Sequence, residues 1–160
     1  MSAIASFIQL PKSAIEGLRE AAVPKKKLFG RTVDGYWEYL KRNERASFDY
    51  QWSGYVVAVL LPYLQELHQI DLMHSEDEEL SNFLTKARSS THFILNETHK
   101  KAYLAKLSGE FSKEAMNDYY NEFNGVNQSE VGGPMLDGIE CLRKCLSSLD
   151  DQSIVLLMVG

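Results

Sequence analysis

Cys141 and Cys145 are the only thiols in this 160-residue chain and stand four residues apart, the spacing that places two side chains on one face of a helix. Two cysteines with no His pair beside them fall short of the four ligands of a structural zinc site. Both are therefore expected to be buried thiols, and a mid-helix Cys141 among apolar neighbours should have a raised pKa and little nucleophilic thiolate. The four histidines, His68, His74, His92 and His99, show no H-E-x-x-H spacing, and no G-x-S-x-G elbow accompanies them. Each is expected to be an ordinary surface or core residue, unless the fold brings one beside a carboxylate in a cleft for acid–base work. Neither G-x-x-x-x-G-K-[ST] nor G-x-G-x-x-G occurs, and Gly132-Gly133-Pro134 reads as a turn before a helix. No catalytic residue, cofactor or metal is expected on these grounds.

Two clusters point to recognition. The run Glu76-Asp77-Glu78-Glu79 follows Ser75, where the macrodipole of a starting helix favours negative charge. Such a run is either a solvated helix start or a docking site, because concentrated carboxylates steer a basic protein toward them. Tyr36, Trp37, Tyr39, Tyr50, Trp52 and Tyr55 lie near Arg31, Lys41, Arg42 and Arg45. This block could stack single-stranded bases, but Trp52 and Tyr55 run into an apolar stripe, so core packing is the expectation.

Net charge is -5, unevenly spread: residues 1–45 carry nine Lys/Arg against five Asp/Glu, leaving the rest of the chain strongly acidic. The sequence pI near 5.4 argues against general nucleic-acid binding and favours a basic partner. The opening Met1-Ser2-Ala3-Ile4 carries no export signal. The longest apolar run, Tyr55 to Leu64, contains Pro62 and is about half the ~20 residues of a membrane span. A cytoplasmic protein without membrane contact is the expectation.

The elements that must position these groups are mostly helical. Ala3 to Gln9 reads as a strand ended by Pro11, and Ser13 and Glu16 have capping-box spacing for the helix that follows. Pro24, Lys25-Lys26-Lys27 and Gly30 predict a solvated basic loop before a helix from Asp34 to Asn43. Trp52, Tyr55, Val56, Val59, Leu60, Tyr63, Leu64 and Leu67 predict a core helix with a kink or break near Ala58 to Leu61, since Pro62 removes one backbone hydrogen bond. Ser75 and Glu78 suggest a second capping box. A strand at Ser90 to Leu95, helices at Glu97 to Leu107, Ser112 to Phe123 and from Pro134 onward, and an apolar strand from Ser153 to Val159 complete the reading. That last strand is apolar on both faces and so should be central. The fold class is α+β: one helix-rich domain, residues 1–160, with a small sheet that includes the N-terminal and C-terminal strands.

The Ile4-Ala5-Ser6-Phe7 strand running into a helix, the Phe111-Ser112-Lys113 segment leading to Met116-Asn117, and the closing Ile154 to Gly160 strand with its terminal Val-Gly resemble the YfbM-like family of small bacterial proteins. The resemblance rests on the two ends and one internal segment. It implies an α+β fold and a bacterial cytoplasmic setting, and it carries no catalytic residues, because none is established for that family.

These readings converge on a non-enzymatic protein-binding module, most concretely an immunity or antitoxin protein that occludes a toxin's active site. Glu76, Asp77, Glu78 and Glu79 are its candidate partner contacts, and the partner is basic. The alternative is a small enzyme whose His, Asp and Tyr side chains assemble in a cleft. A pocket lined by two histidines and a carboxylate would mark the enzyme. A third option is RNA contact through the basic N-terminal third.

Overall fold

The computed structural model describes residues 3–27 and 29–160; Met1 and Ser2 of the expected opening segment, and position 28 of the expected basic loop, lie outside the described residues. Four antiparallel strands form a sheet in the order β4-β1-β6-β5, built from β1 (Ala5–Pro11), β4 (Ala46–Phe48), β5 (Thr91–Leu95) and β6 (Ser153–Val159). Chain order and space order differ. The last strand lies between the first and the fifth, with Phe7 opposite Leu157 and Phe93 opposite Leu157 on the other side. Every residue of β6 is buried, as its two-sided apolar sequence predicts.

Helices cover both faces. On one side, Phe7, Val155 and Leu157 pack against α3 (Gly54–His68), α5 (Glu97–Leu107), α6 (Lys113–Asn124) and α7 (Gly132–Ser148). On the other, Leu10, Ile154, Leu156 and Met158 meet α1 (Ile15–Ala21), α2 (Tyr36–Asn43) and α4 (Glu78–Arg88). The period-2 alternation of each strand thus feeds two separate cores. The chain is α+β with its N- and C-terminal strands in one sheet.

Several local expectations are corrected. The Ser13–Glu16 capping box does not form: Lys12–Ala14 make a 3-10 turn and α1 begins at Ile15 with no side-chain cap. At Ser75, Oγ accepts from the Asp77 N–H at 3.1 Å, and α4 starts one turn later without a side-chain cap. A capping box forms instead at α5, where Asn96 and His99 satisfy each other's backbone N–H. Pro62 sits inside α3 without breaking it. The helix buries a broad face including Val56, Val57, Leu60, Leu61 and Leu64, while Trp52, Tyr55 and Leu67 of the expected stripe are exposed. Trp52 precedes the helix and so does not follow its period. The basic loop contains a short hairpin of β2 (Lys25–Lys26) and β3 (Thr32–Val33). The edge strand β4 carries no sequence signal, being three residues long.

α2 is held by charge and aromatic contacts rather than by apolar burial alone. Arg88 of α4 forms a two-point ion pair with Asp34, at 3.0 and 2.7 Å, and lies 4.5 Å over the Tyr36 ring. Asp34 also accepts the Tyr36 N–H at 3.1 Å, so one carboxylate both starts the helix and ties it to α4.

Candidate functional site

A concavity that carries several charged groups lies between the β4–α3 connection and α7. Its volume is about 510 Å³, within the range of small-ligand sites. One wall is Ser47 to Trp52, and the other is Asp137, Glu140, Cys141 and Lys144. These α7 residues follow the helical period, so one turn-by-turn face of the helix supplies the whole wall.

Three contacts fix the geometry. The Tyr50 hydroxyl donates to the Pro134 carbonyl at 2.9 Å, and the Tyr50 ring meets Phe7 edge-on at 6.4 Å. Trp52 Nε1–H donates to Asp137 Oδ2 at 2.7 Å. Gly138 lets α7 approach, since a Cβ there would stand 2.6 Å from Leu60 Cδ2 and 3.6 Å from the Tyr50 ring. Burial, and then the Asp137 charge, push the Tyr50 phenol above its ordinary pKa, so it stays neutral.

The cleft is acidic and aromatic. Glu140 is shared between Arg143 at 3.1 Å and Lys144 at 3.9 Å, Asp137 holds the indole, and Asp49 has no ion-pair partner among the described residues. Trp52 is 42% exposed. Its expected place in the core is therefore corrected: it lies on the rim, where an amphipathic ring offers its face to an incoming group.

The two thiols are free and buried, as their spacing predicts. The expected pKa of Cys141 is corrected. Interaction with the Cys145 thiol one turn away pulls it down despite burial, and the same interaction together with burial drives Cys145 far up.

A second, smaller cavity of about 170 Å³ gathers Asp71, His74, Glu76, Asn96, His99 and Tyr103. Two histidines and a carboxylate do meet here. His99, however, is 4% exposed and both ring nitrogens are committed: Nδ1 accepts the Asn96 N–H at 3.1 Å, so Nε2–H donates to the His74 carbonyl at 2.8 Å. Burial depresses its pKa, against the pull of that carbonyl and of nearby carboxylates. His74 is exposed, and its Nδ1 lies 2.8 Å from Asp71 Oδ2. Burial pulls the Asp71 carboxyl upward, but the His74 ring and the Met73 and His74 N–H groups outweigh it and hold the pKa low.

The other two histidines are structural. His92 donates from Nδ1 to Ser90 O at 2.8 Å and accepts from the Tyr36 hydroxyl at 3.0 Å through Nε2. His68 bonds the Tyr63 hydroxyl at 3.0 Å and packs on Phe111.

The acidic run splits when folded. Glu78 and Glu79 stand exposed on the first turn of α4, with Glu79 bonded to Arg19 at 3.2 Å. Asp77 is half-buried, and burial followed by the Glu76 charge raises its pKa. Glu76 is exposed and lines the cavity beside His99. The aromatic block likewise disperses: Tyr36 enters the core, Trp37 is exposed on α2, and Trp52 joins the acidic cleft.

Among the described residues, no group of three or more His, Cys, Asp or Glu could hold a metal ion, and no helix is long and apolar enough to cross a membrane. Compared with protein-family models, with curated proteins and with solved structures, the chain matches none.

Proposed function

We propose that this chain is a non-enzymatic, cytoplasmic protein-binding module that docks a basic partner, in the manner of an immunity or antitoxin protein occluding a toxin's active site. One observation carries the reading: the cleft sets the exposed Trp52 ring beside the carboxylates of Asp49, Asp137 and Glu140. Aromatic faces and carboxylates together are the surroundings that a guanidinium or ammonium group prefers. An exposed tryptophan in such a patch is also a common energetic anchor in interfaces. Glu78 and Glu79 on α4 add long-range attraction for the same partner.

The test is affinity purification with quantitative mass spectrometry at low salt, wild type against a W52A/D137K double variant. The reading expects a basic protein recovered in stoichiometric amount and reduced at least about tenfold by the variant, the loss typical of an interface anchor. E78K/E79K should slow association more than it speeds release. Absence of a stoichiometric partner, or one indifferent to W52A/D137K, sinks the reading.

The Asp71–His74 pair favours a second reading, a small hydrolytic enzyme, because the carboxylate holds the exposed ring through Nδ1 at 2.8 Å beside the small cavity. It predicts turnover of a simple activated ester that His74→Ala abolishes. The binding reading predicts identical background rates for both proteins.

A further inference from the structure

Among the described residues, neither core contains one from the β2–β3 hairpin. Lys25 pairs with Val33 and Lys26 with Thr32 across the two strands, and the Lys27 N–H bonds the Arg31 carbonyl at 2.8 Å. At its tip Phe29 is 103% exposed, a wholly solvated aromatic ring. The backbone there is unusual: Phe29 has φ +79° and Gly30 φ +76°. A left-handed conformation is natural for glycine and costly for a bulky aromatic residue. The fold therefore holds a large apolar side chain outward at a local energetic cost, with no packing in return.

The surroundings of the ring specify what it meets. Lys26, Lys27 and Arg31 are exposed, and none of the ion pairs among the described residues involves them. Lys25 is held by Glu20 at 2.6 Å. Val23 and Val33 stand exposed at the base of the hairpin, and Trp37 is exposed on the first turn of α2. An apolar tip ringed by cations is complementary to an anionic interface with an apolar interior.

We propose that the β2–β3 hairpin docks this protein peripherally on an anionic phospholipid bilayer, with Phe29 entering the headgroup–acyl boundary and Lys26, Lys27 and Arg31 meeting the phosphates. Valine side chains partition into that boundary but do not stack on nucleobases, and the tip offers one aromatic ring rather than a platform of several. The acidic remainder of the chain would also repel a long polyanion wrapped around it, whereas a flat surface is touched by the basic end alone. This is contact at a surface and not a span, and it stands independently of the cleft.

The experiment is co-sedimentation of the full chain with vesicles of phosphatidylcholine alone or with about 30% phosphatidylglycerol, at low salt, where surface charge attraction is least screened. Partitioning onto the anionic vesicles is expected to be at least about twentyfold stronger, falling as salt rises, since each cation near such a surface is worth roughly fivefold. F29S should weaken it about fivefold, in keeping with loss of an inserted ring. K26E/K27E should return it to the neutral-vesicle level. All these positions are exposed, and unchanged thermal unfolding of each variant separates lost docking from lost folding. Equal partitioning onto both vesicle types overturns the proposal, as does anionic binding indifferent to K26E/K27E. Retention of a single-stranded oligonucleotide that depends on the same lysines, without vesicle binding, replaces it with nucleic-acid contact.

Discussion

His99 and Trp52 each donate a ring N–H to an oxygen on another segment, at 2.8 Å to the His74 carbonyl and at 2.7 Å to Asp137, but His99 is 4% exposed and Trp52 42%. Around His99 the polar groups satisfy one another: the ring caps α5 and anchors the loop that carries His74. Around Trp52 the carboxylates and the indole face solvent. The difference lies in what replaces a lost bond. Water takes over at the exposed site, while the buried one leaves orphaned backbone groups. Titratable side chains in the small cavity are thus largely consumed by architecture, and those in the cleft remain available to a partner.

Substitution can break this contrast. His99→Ala removes an acceptor and a donor in the interior and should cost about 2–4 kcal/mol by urea unfolding. Gly132→Ala comes next. Its new Cβ would press on the Lys113 carbonyl, displacing the α7 wall of the cleft without touching its charged groups, at about 1–3 kcal/mol.

Acidification gives a smaller and more diagnostic effect. His92 and His99 have folded pKa values below 6.5, lowered first by burial. The unfolded chain binds those protons first, so this stability is complete above pH about 6.5 and drains as pH falls toward the folded values. H99Q should flatten part of the slope between about pH 6.5 and 5 in a series of urea midpoints. The lowered carboxyls of Asp34 and Asp71 act in a separate window, below the ordinary aspartate value of 3.8. The smallest change expected is for Trp52→Ala, under about 1 kcal/mol of stability. A loss comparable to that of His99→Ala would return Trp52 to the scaffold and remove the contrast.

Much of this was legible in the chain itself. The two-sided apolar run of Ser153 to Val159 marks a central strand, and the residues from Glu97 to Leu107 form the helix their pattern predicts. Less could be read where long-range contacts overrule local signals. Ser13 and Ser75 have box spacing, yet the box forms at Asn96 and His99, a histidine that no usual signature includes. The cleft was illegible as a unit because Trp52 and Asp137 are joined only by the approach of α7 to α3. Gly138 was the available clue, a small residue on the buried face of an otherwise bulky helix. Asp77 shows the same limit from the other side, as a carboxylate in an acidic run that folding turns partly inward.

The two ends of the sheet's inner pair are clasped together, with the Ile4 N–H on the Gly160 carbonyl at 3.0 Å and the Gly160 N–H on the Ile4 carbonyl at 3.1 Å. A ribosome delivers β6 last, so helices on both faces must wait, partly uncovered, for the strand that separates them.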